Sequence, residues 1–131
     1  MRFLSLLWVL ALAGCASGVG RPVNEIRAET GSDGVQHVSV TAHAFYFNPN
    51  RVVVQANMPV ELRIKNNSAF VPHNFSCAAP QSGFTIDEGL GMFWDGEIAK
   101  FTPTTPGEYP FFCKVDGHSK KGMTGTLVVV P

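Results

Sequence analysis

Cysteine is scarce in this chain: three in 131 residues, and no two of them form a C-x2-C pair. A structural zinc site commonly draws four Cys or His ligands from such pairs, so that class is excluded. Charge is sparse as well, with ten Lys and Arg against ten Asp and Glu and a formal net charge of +0. That balance leaves no electrostatic footprint for nucleic acid. No apolar run approaches the ~20 residues a membrane-spanning helix needs. What the chain does have is 45% hydrophobic residues with 13 Gly and 9 Pro, the composition of a turn-rich β protein. Its length suits one domain preceded by a short leader.

Residues 1–14 carry Arg2 and then the apolar run Phe3 to Ala13, as a secretory signal peptide does. The closing Leu12-Ala13-Gly14-Cys15 resembles the bacterial lipobox. That resemblance implies a lipidated Cys15 as mature N-terminus. The protein is then exported and held by acyl chains on a membrane, facing the periplasm or the cell exterior. Residues 15–34 mix Gly, Ser, Glu and Arg and are expected to form a flexible linker, with the folded domain over residues 35–131.

Within that domain the dominant period is 2. Val38, Val40 and Ala42 alternate with His37, Ser39, Thr41 and His43, and the apolar set then shifts to Phe45 and Phe47, which predicts a β-bulge near Ala44. Asn48-Pro49-Asn50 is a turn, Val52 and Val54 face inward, and Val60, Leu62 and Ile64 form the clearest half-buried strand. The glycine-rich stretch from Cys77 to Gly96 shows no strong period and reads as loop. Glu97 to Thr102, Glu108 to Cys113 and Gly125 to Val130 read as strands, with Tyr109 and Phe111 on the face of Cys113. Short, regularly spaced strands of this kind predict an all-β, two-sheet sandwich.

The chemistry concentrates in Tyr109-Pro-Phe-Phe-Cys113-Lys-Val-Asp-Gly-His118-Ser-Lys-Lys-Gly-Met123, with Pro72-His73-Asn74 upstream. One thiolate, two imidazoles and a thioether suit a mononuclear blue copper ion, because thiolate and thioether favour the soft Cu(I) and imidazole serves both oxidation states. A binuclear copper site needs a second cysteine in the loop, and Cys113 stands alone there.

Residues 35–131 resemble the cupredoxins, the family of plastocyanin, pseudoazurin, auracyanin and rusticyanin. The matching features are Phe45-x-Phe47-x-Pro49, Asn66 at a strand end, Pro72-His73-Asn74, and Tyr109-x-x-x-Cys113 leading into C-x4-H-x4-M. The resemblance implies a Greek-key β-sandwich holding one type 1 copper ion on His73, Cys113, His118 and Met123. It also implies that Asn74 donates its backbone N–H to the cysteine sulfur. Where the family usually has Ser or Thr after the cysteine, this chain has Lys114.

The implied function is one-electron transfer through an exposed edge of His118, with no substrate transformed and therefore no enzyme activity. A copper-handling protein that delivers or buffers copper for a membrane oxidase is the alternative. The expected partners are a redox protein, either a cytochrome or an oxidase or reductase, and the membrane; a monomer is expected. Lys114, Lys120 and Lys121 around the ligand loop favour an acidic docking patch. Cys77 reads as a buried free thiol. His37 and His43 are solvated polar residues, because two imidazoles complete no coordination sphere.

Overall fold

The computed structural model describes residues 20–131, so the expected signal peptide and Cys15 lie outside the described residues. Eleven strands carry the fold: β1 (Glu25–Arg27), β2 (Glu29–Thr30), β3 (Gln36–His43), β4 (Tyr46–Asn48), β5 (Arg51–Gln55), β6 (Val60–Asn66), β7 (His73–Ala79), β8 (Phe84–Leu90), β9 (Gly96–Phe101), β10 (Gly107–Phe112) and β11 (Thr124–Val130). One sheet runs β1-β5-β11-β10-β7-β8; the other runs β2-β3-β6-β9, with β4 also on β3. Alternation drives the packing. In β6, Val60, Leu62 and Ile64 are at most 2% exposed, while Arg63 and Lys65 face solvent. Each fully buried aliphatic side chain of this kind contributes about 1.5–3 kcal/mol.

The core between the sheets is aromatic toward one end. Phe47, Phe75 and Phe111 are fully buried and mutually packed, Phe75 on Phe111 stacked at 4.6 Å and Phe47 edge-on to both. At the opposite end of β10 the Tyr109 hydroxyl donates to the Thr105 carbonyl at 2.7 Å, which leaves no buried polar atom unpaired there.

Three expectations need correction. The apolar shift after Ala42 is not a bulge: Ala44 and Phe45 form a two-residue hairpin turn, with Phe45 at φ 72°, and the chain reverses so that Ala42 lies opposite Phe47. The stretch from Cys77 to Gly96 is not a loop. β7 continues to Ala79, a 3-10 turn spans Pro80–Ser82, and β8 pairs with β7 over its whole length. The linker expected over residues 15–34 ends early. β1 pairs in parallel with β5 and β2 antiparallel with β3, and Pro22 and Asn24 already bond Asn50. Exposed side chains on β1 and β2 give no periodic signal; backbone pairing places them, with the Glu25–Arg51 ion pair at 2.9 Å beside it.

Register decides where the chemistry goes. β5 and β11 run parallel, with Arg51 opposite Thr126, and β10 meets β11 with Phe112 opposite Thr124. The end of β10, the starts of β5, β7 and β11, and the Ala44–Phe45 turn therefore share one end of the sandwich. The first described residues reach the same end, since Glu25 lies opposite Arg51.

Candidate metal centre

β7 opens with His73, and β10 delivers Cys113 one residue past its last paired position. The segment between β10 and β11 carries His118 and Met123. It is tightly closed: His118 N–H donates to Val115 O, Met123 N–H to His118 O at 3.2 Å, and Cys113 N–H to Met123 O at 3.1 Å. A 3-10 turn over Ser119–Lys121 ends at Gly122, whose φ of 96° is a left-handed conformation that glycine adopts without strain. Cys113 and Met123 are fully buried, His73 is 3% exposed and His118 8%. The edge of His118 that reaches solvent is thus narrow. Phe45 covers part of the ring edge-on at 4.9 Å, and Lys121 Nζ sits 3.8 Å over Phe45.

One donor atom from each of His73, Cys113 and His118 lies within 4.8 Å of the other two, the spacing of a shared ion. Cys113 Sγ is 3.5 Å from His118 Nδ1. His73 Nε2 lies 3.3 Å from Ser68 Oγ, and Nδ1 faces no protein partner. That Nδ1 is the one buried side-chain nitrogen or oxygen among the described residues with no hydrogen-bond partner. A buried polar atom without a partner costs about 1–3 kcal/mol, and a metal ion supplies what is missing. Burial pushes the His73 imidazole down to about 4, with smaller contributions from His118 and His43. His118 is also held below the usual imidazole range, by burial first and by Lys121 second, against Asp116. Both rings are neutral at pH 7, the form that ligates metal. The donor set and its protonation fit a copper ion.

The Asn74 backbone N–H donates to Cys113 Sγ at 3.3 Å. The Asn74 side chain accepts from Lys114 N–H at 3.3 Å and donates to Asp87 Oδ1 at 2.9 Å and to Glu88 O at 3.1 Å. Asp87 Oδ2 in turn takes Lys114 Nζ at 2.7 Å. The sequence marks Asp87 only as one charge of an acidic segment, because β8 reads there as loop. Asn66, expected only as a strand end, is a second support. Its buried amide bonds Val71 O, Gly91 O and Ser68 N–H, and so ties down the segment leading into His73.

Other expectations resolve simply. Cys77 is a buried free thiol, its ionisation pushed up to about 12 by burial. His37 pairs with Asp33 at 3.0 Å, and His43 stacks on Tyr46 at 4.5 Å.

Comparison with known proteins agrees with this geometry. No curated protein sequence matches the chain. Among solved structures, the reduced auracyanin of the photosynthetic bacterium Roseiflexus castenholzii is 21% identical, covering 79% of this chain and 99% of that one at a TM-score of 0.64. Auracyanin A, a "blue" copper protein from Chloroflexus aurantiacus, is 22% identical over 74% and 100% of the two chains, TM-score 0.62. The metal-binding domain of the Cu(I) exporting P-type ATPase CopA of Streptococcus pneumoniae, solved with Cu(I), is 18% identical over 85% and 100%, TM-score 0.59. At these identities the likeness carries the fold. The family model for the cupredoxin-like domain matches residues 2–129, nearly the whole chain, and the protein belongs to that family.

Proposed function

We propose that His73, Cys113, His118 and Met123 hold one type 1 copper ion and that the protein carries single electrons at a membrane surface. The observation that carries this reading is the buried cluster of two imidazoles and one cysteine sulfur, with His73 Nδ1 left without a protein partner. When bound, copper supplies a centre that changes by one electron between Cu(I) and Cu(II). The chain's own contribution is to fix the donors in advance: Ser68 sets the His73 tautomer, the Asn74 N–H bonds the sulfur, and the closed Cys113–Met123 segment limits rearrangement. Phe111 and its aromatic neighbours pack the same end of the sandwich and exclude water from beneath the loop.

His118, with its narrow exposed edge beside Phe45, is the proposed route for the electron. Lys120 and Lys121 remain as docking charges for an acidic redox partner, whereas Lys114 is taken up by Asp87. Association with such a partner is then expected to slow as salt rises. The chain is read as a carrier that transforms no substrate.

Anchoring through a lipidated Cys15 gains support from the place where the chain enters the fold. Arg21 lies 3.6 Å over the Tyr46 ring, so at most Ala16 to Gly20 separates the anchor from the domain, a span of about 18 Å when fully extended. That entry point is at the metal end, so the anchor holds the site close to the membrane and its integral or peripheral redox proteins. Labelled fatty acid in the wild-type protein but not in Cys15→Ser checks the anchor.

Copper reconstitution followed by visible spectroscopy tests the metal reading. An intense charge-transfer band that bleaches on reduction is expected; a colourless Cu(II) adduct or a preference for zinc overturns it. Copper delivery, the competing function, predicts rapid loss of Cu(I) to a competing chelator. Preset donors predict retention in both oxidation states.

A further inference from the structure

Asp87 lies in the middle of β8 and Lys114 two residues past the end of β10, far apart in sequence, and both are about half exposed at 49% of their side chains. A surface ion pair of that kind by itself adds little to stability. Its setting gives it another use. Asp87 presents one carboxylate oxygen to Lys114 Nζ and the other to Asn74 Nδ2, while Asn74 Oδ1 accepts the Lys114 backbone N–H. The three residues close a ring through one side-chain carboxylate, one ammonium and one amide. Glu88 O adds a second acceptor for Asn74 Nδ2. The ring straddles the junction of β8, β7 and the first residue after Cys113.

We propose that Asp87 and Lys114 are positioning residues for the Cys113 sulfur, clasping the Asn74 side chain so that the Asn74 backbone N–H stays aimed at Sγ. The inference rests on the copper reading above. Asn74 occupies two roles at once, its main chain toward the sulfur and its side chain toward the clasp, so fixing the side chain fixes the peptide that carries the donor. Lys114 is held at both ends, by its N–H on Asn74 and its Nζ on Asp87, and this pins the first step of the ligand loop. An N–H bonded to a thiolate withdraws charge from sulfur and favours the reduced metal; loss of that bond lowers the reduction potential.

The proposal separates from a plain charge effect by sign. Asp87→Ala removes a negative charge, which taken alone raises the potential. Loss of the clasp lowers it. Lowering of the potential in Asp87→Ala, with a shifted charge-transfer band, is the expected result. Asp87→Asn keeps an acceptor for Asn74 Nδ2 and is expected to retain the wild-type band. A raised potential in Asp87→Ala, or identical behaviour of the Ala and Asn variants, overturns the inference. Amide exchange in the metal-free protein supplies a readout independent of copper: the Asn74 N–H is expected to exchange about fivefold faster in Asp87→Ala than in wild type. Unchanged exchange there refutes the clasp even if the protein takes up no copper, whereas failure of wild type to turn blue refutes only the metal reading.

Discussion

Asn66 carries more of the site's construction than its position at a strand end announces. The residue is fully buried, and its side chain makes three hydrogen bonds: Nδ2 to Val71 O at 2.9 Å, Nδ2 to Gly91 O at 2.7 Å, and Oδ1 from Ser68 N–H at 2.8 Å. Asn66→Ala strands all three partners. Ser68 is itself buried, so its N–H bears a desolvation penalty of about 1–3 kcal/mol, while the two carbonyls nearer solvent lose about 0.5–1 kcal/mol each. The sum is about 3 kcal/mol, or roughly 10 °C in Tm for a domain of this size. Urea unfolding of the metal-free protein measures it, with Ser68→Ala as the comparison that removes only the contact to His73. Asn66→Asp retains an acceptor for Ser68 N–H but turns carboxylate oxygens on two carbonyls, and is expected to destabilise at least as much at neutral pH. A loss below about 1 kcal/mol in Asn66→Ala would mean that the backbone, through bonds such as Asn66 N–H to Asp95 O, holds the segment without the side chain.

Further outcomes follow from single contacts. Met123→Leu is expected to raise the reduction potential while copper stays bound, since a thioether donor is lost; an unchanged potential in voltammetry removes Met123 from the ligand set. Cys77 is expected to resist thiol reagents in the folded protein and to react fully in urea. Because its folded ionisation is raised to about 12, the native state keeps a proton that the unfolded chain releases above its ordinary thiol range; stability is therefore full at neutral pH and declines as pH rises toward 12, and Cys77→Ala should flatten that decline. Gly125→Ala would place a methyl 2.6 Å from Asn50 O and into the Phe111 ring, costing about 3 kcal/mol or more in urea unfolding; Gly89, with open space around it, tolerates alanine within about 0.5 kcal/mol. Phe45→Ala uncovers His118 and is expected to speed diethyl pyrocarbonate modification of that ring in the metal-free protein; an unchanged rate means Phe45 is no shield.

Residues in the sequence disclosed the site more fully than they disclosed the strands around it. Val60, Leu62 and Ile64 alternate cleanly because β6 lies between β3 and β9 with one face in the core. β8 alternates too, with Phe84, Ile86 and Leu90 buried, but half-buried Glu88 falls on the inward phase and Gly89 interrupts the propensity, so the period was masked. Phe45 was read as inward from its apolar character, yet it is a turn residue; a left-handed phenylalanine has no sequence signature. Spacing brings Cys113 and His118 together because they share one loop, where sequence distance and spatial distance nearly coincide. Asp87 escaped for the opposite reason, since its partners lie on other strands and only register brings them together.

That difference bears on how the site tolerates change. The ligand loop is closed by its own backbone bonds, Cys113 N–H to Met123 O and Met123 N–H to His118 O, so its shape is local. His73 comes from another strand, and its distance to the loop depends on β7 pairing with β10, for which the matched register is Phe112 opposite Ser76 alone. A junction with so little regular ladder needs other ties, and they are the ones the structure supplies: the Asn74 N–H on Cys113 Sγ, the Lys114 N–H on Asn74 Oδ1, and the Asp87 carboxylate joining both. Weak individually, these bonds sit where the two halves of the donor set meet. Variation in this protein is therefore expected to tune the site most readily at Asn74, Asp87 and Lys114, while changes within the Cys113–Met123 segment decide whether there is a site at all.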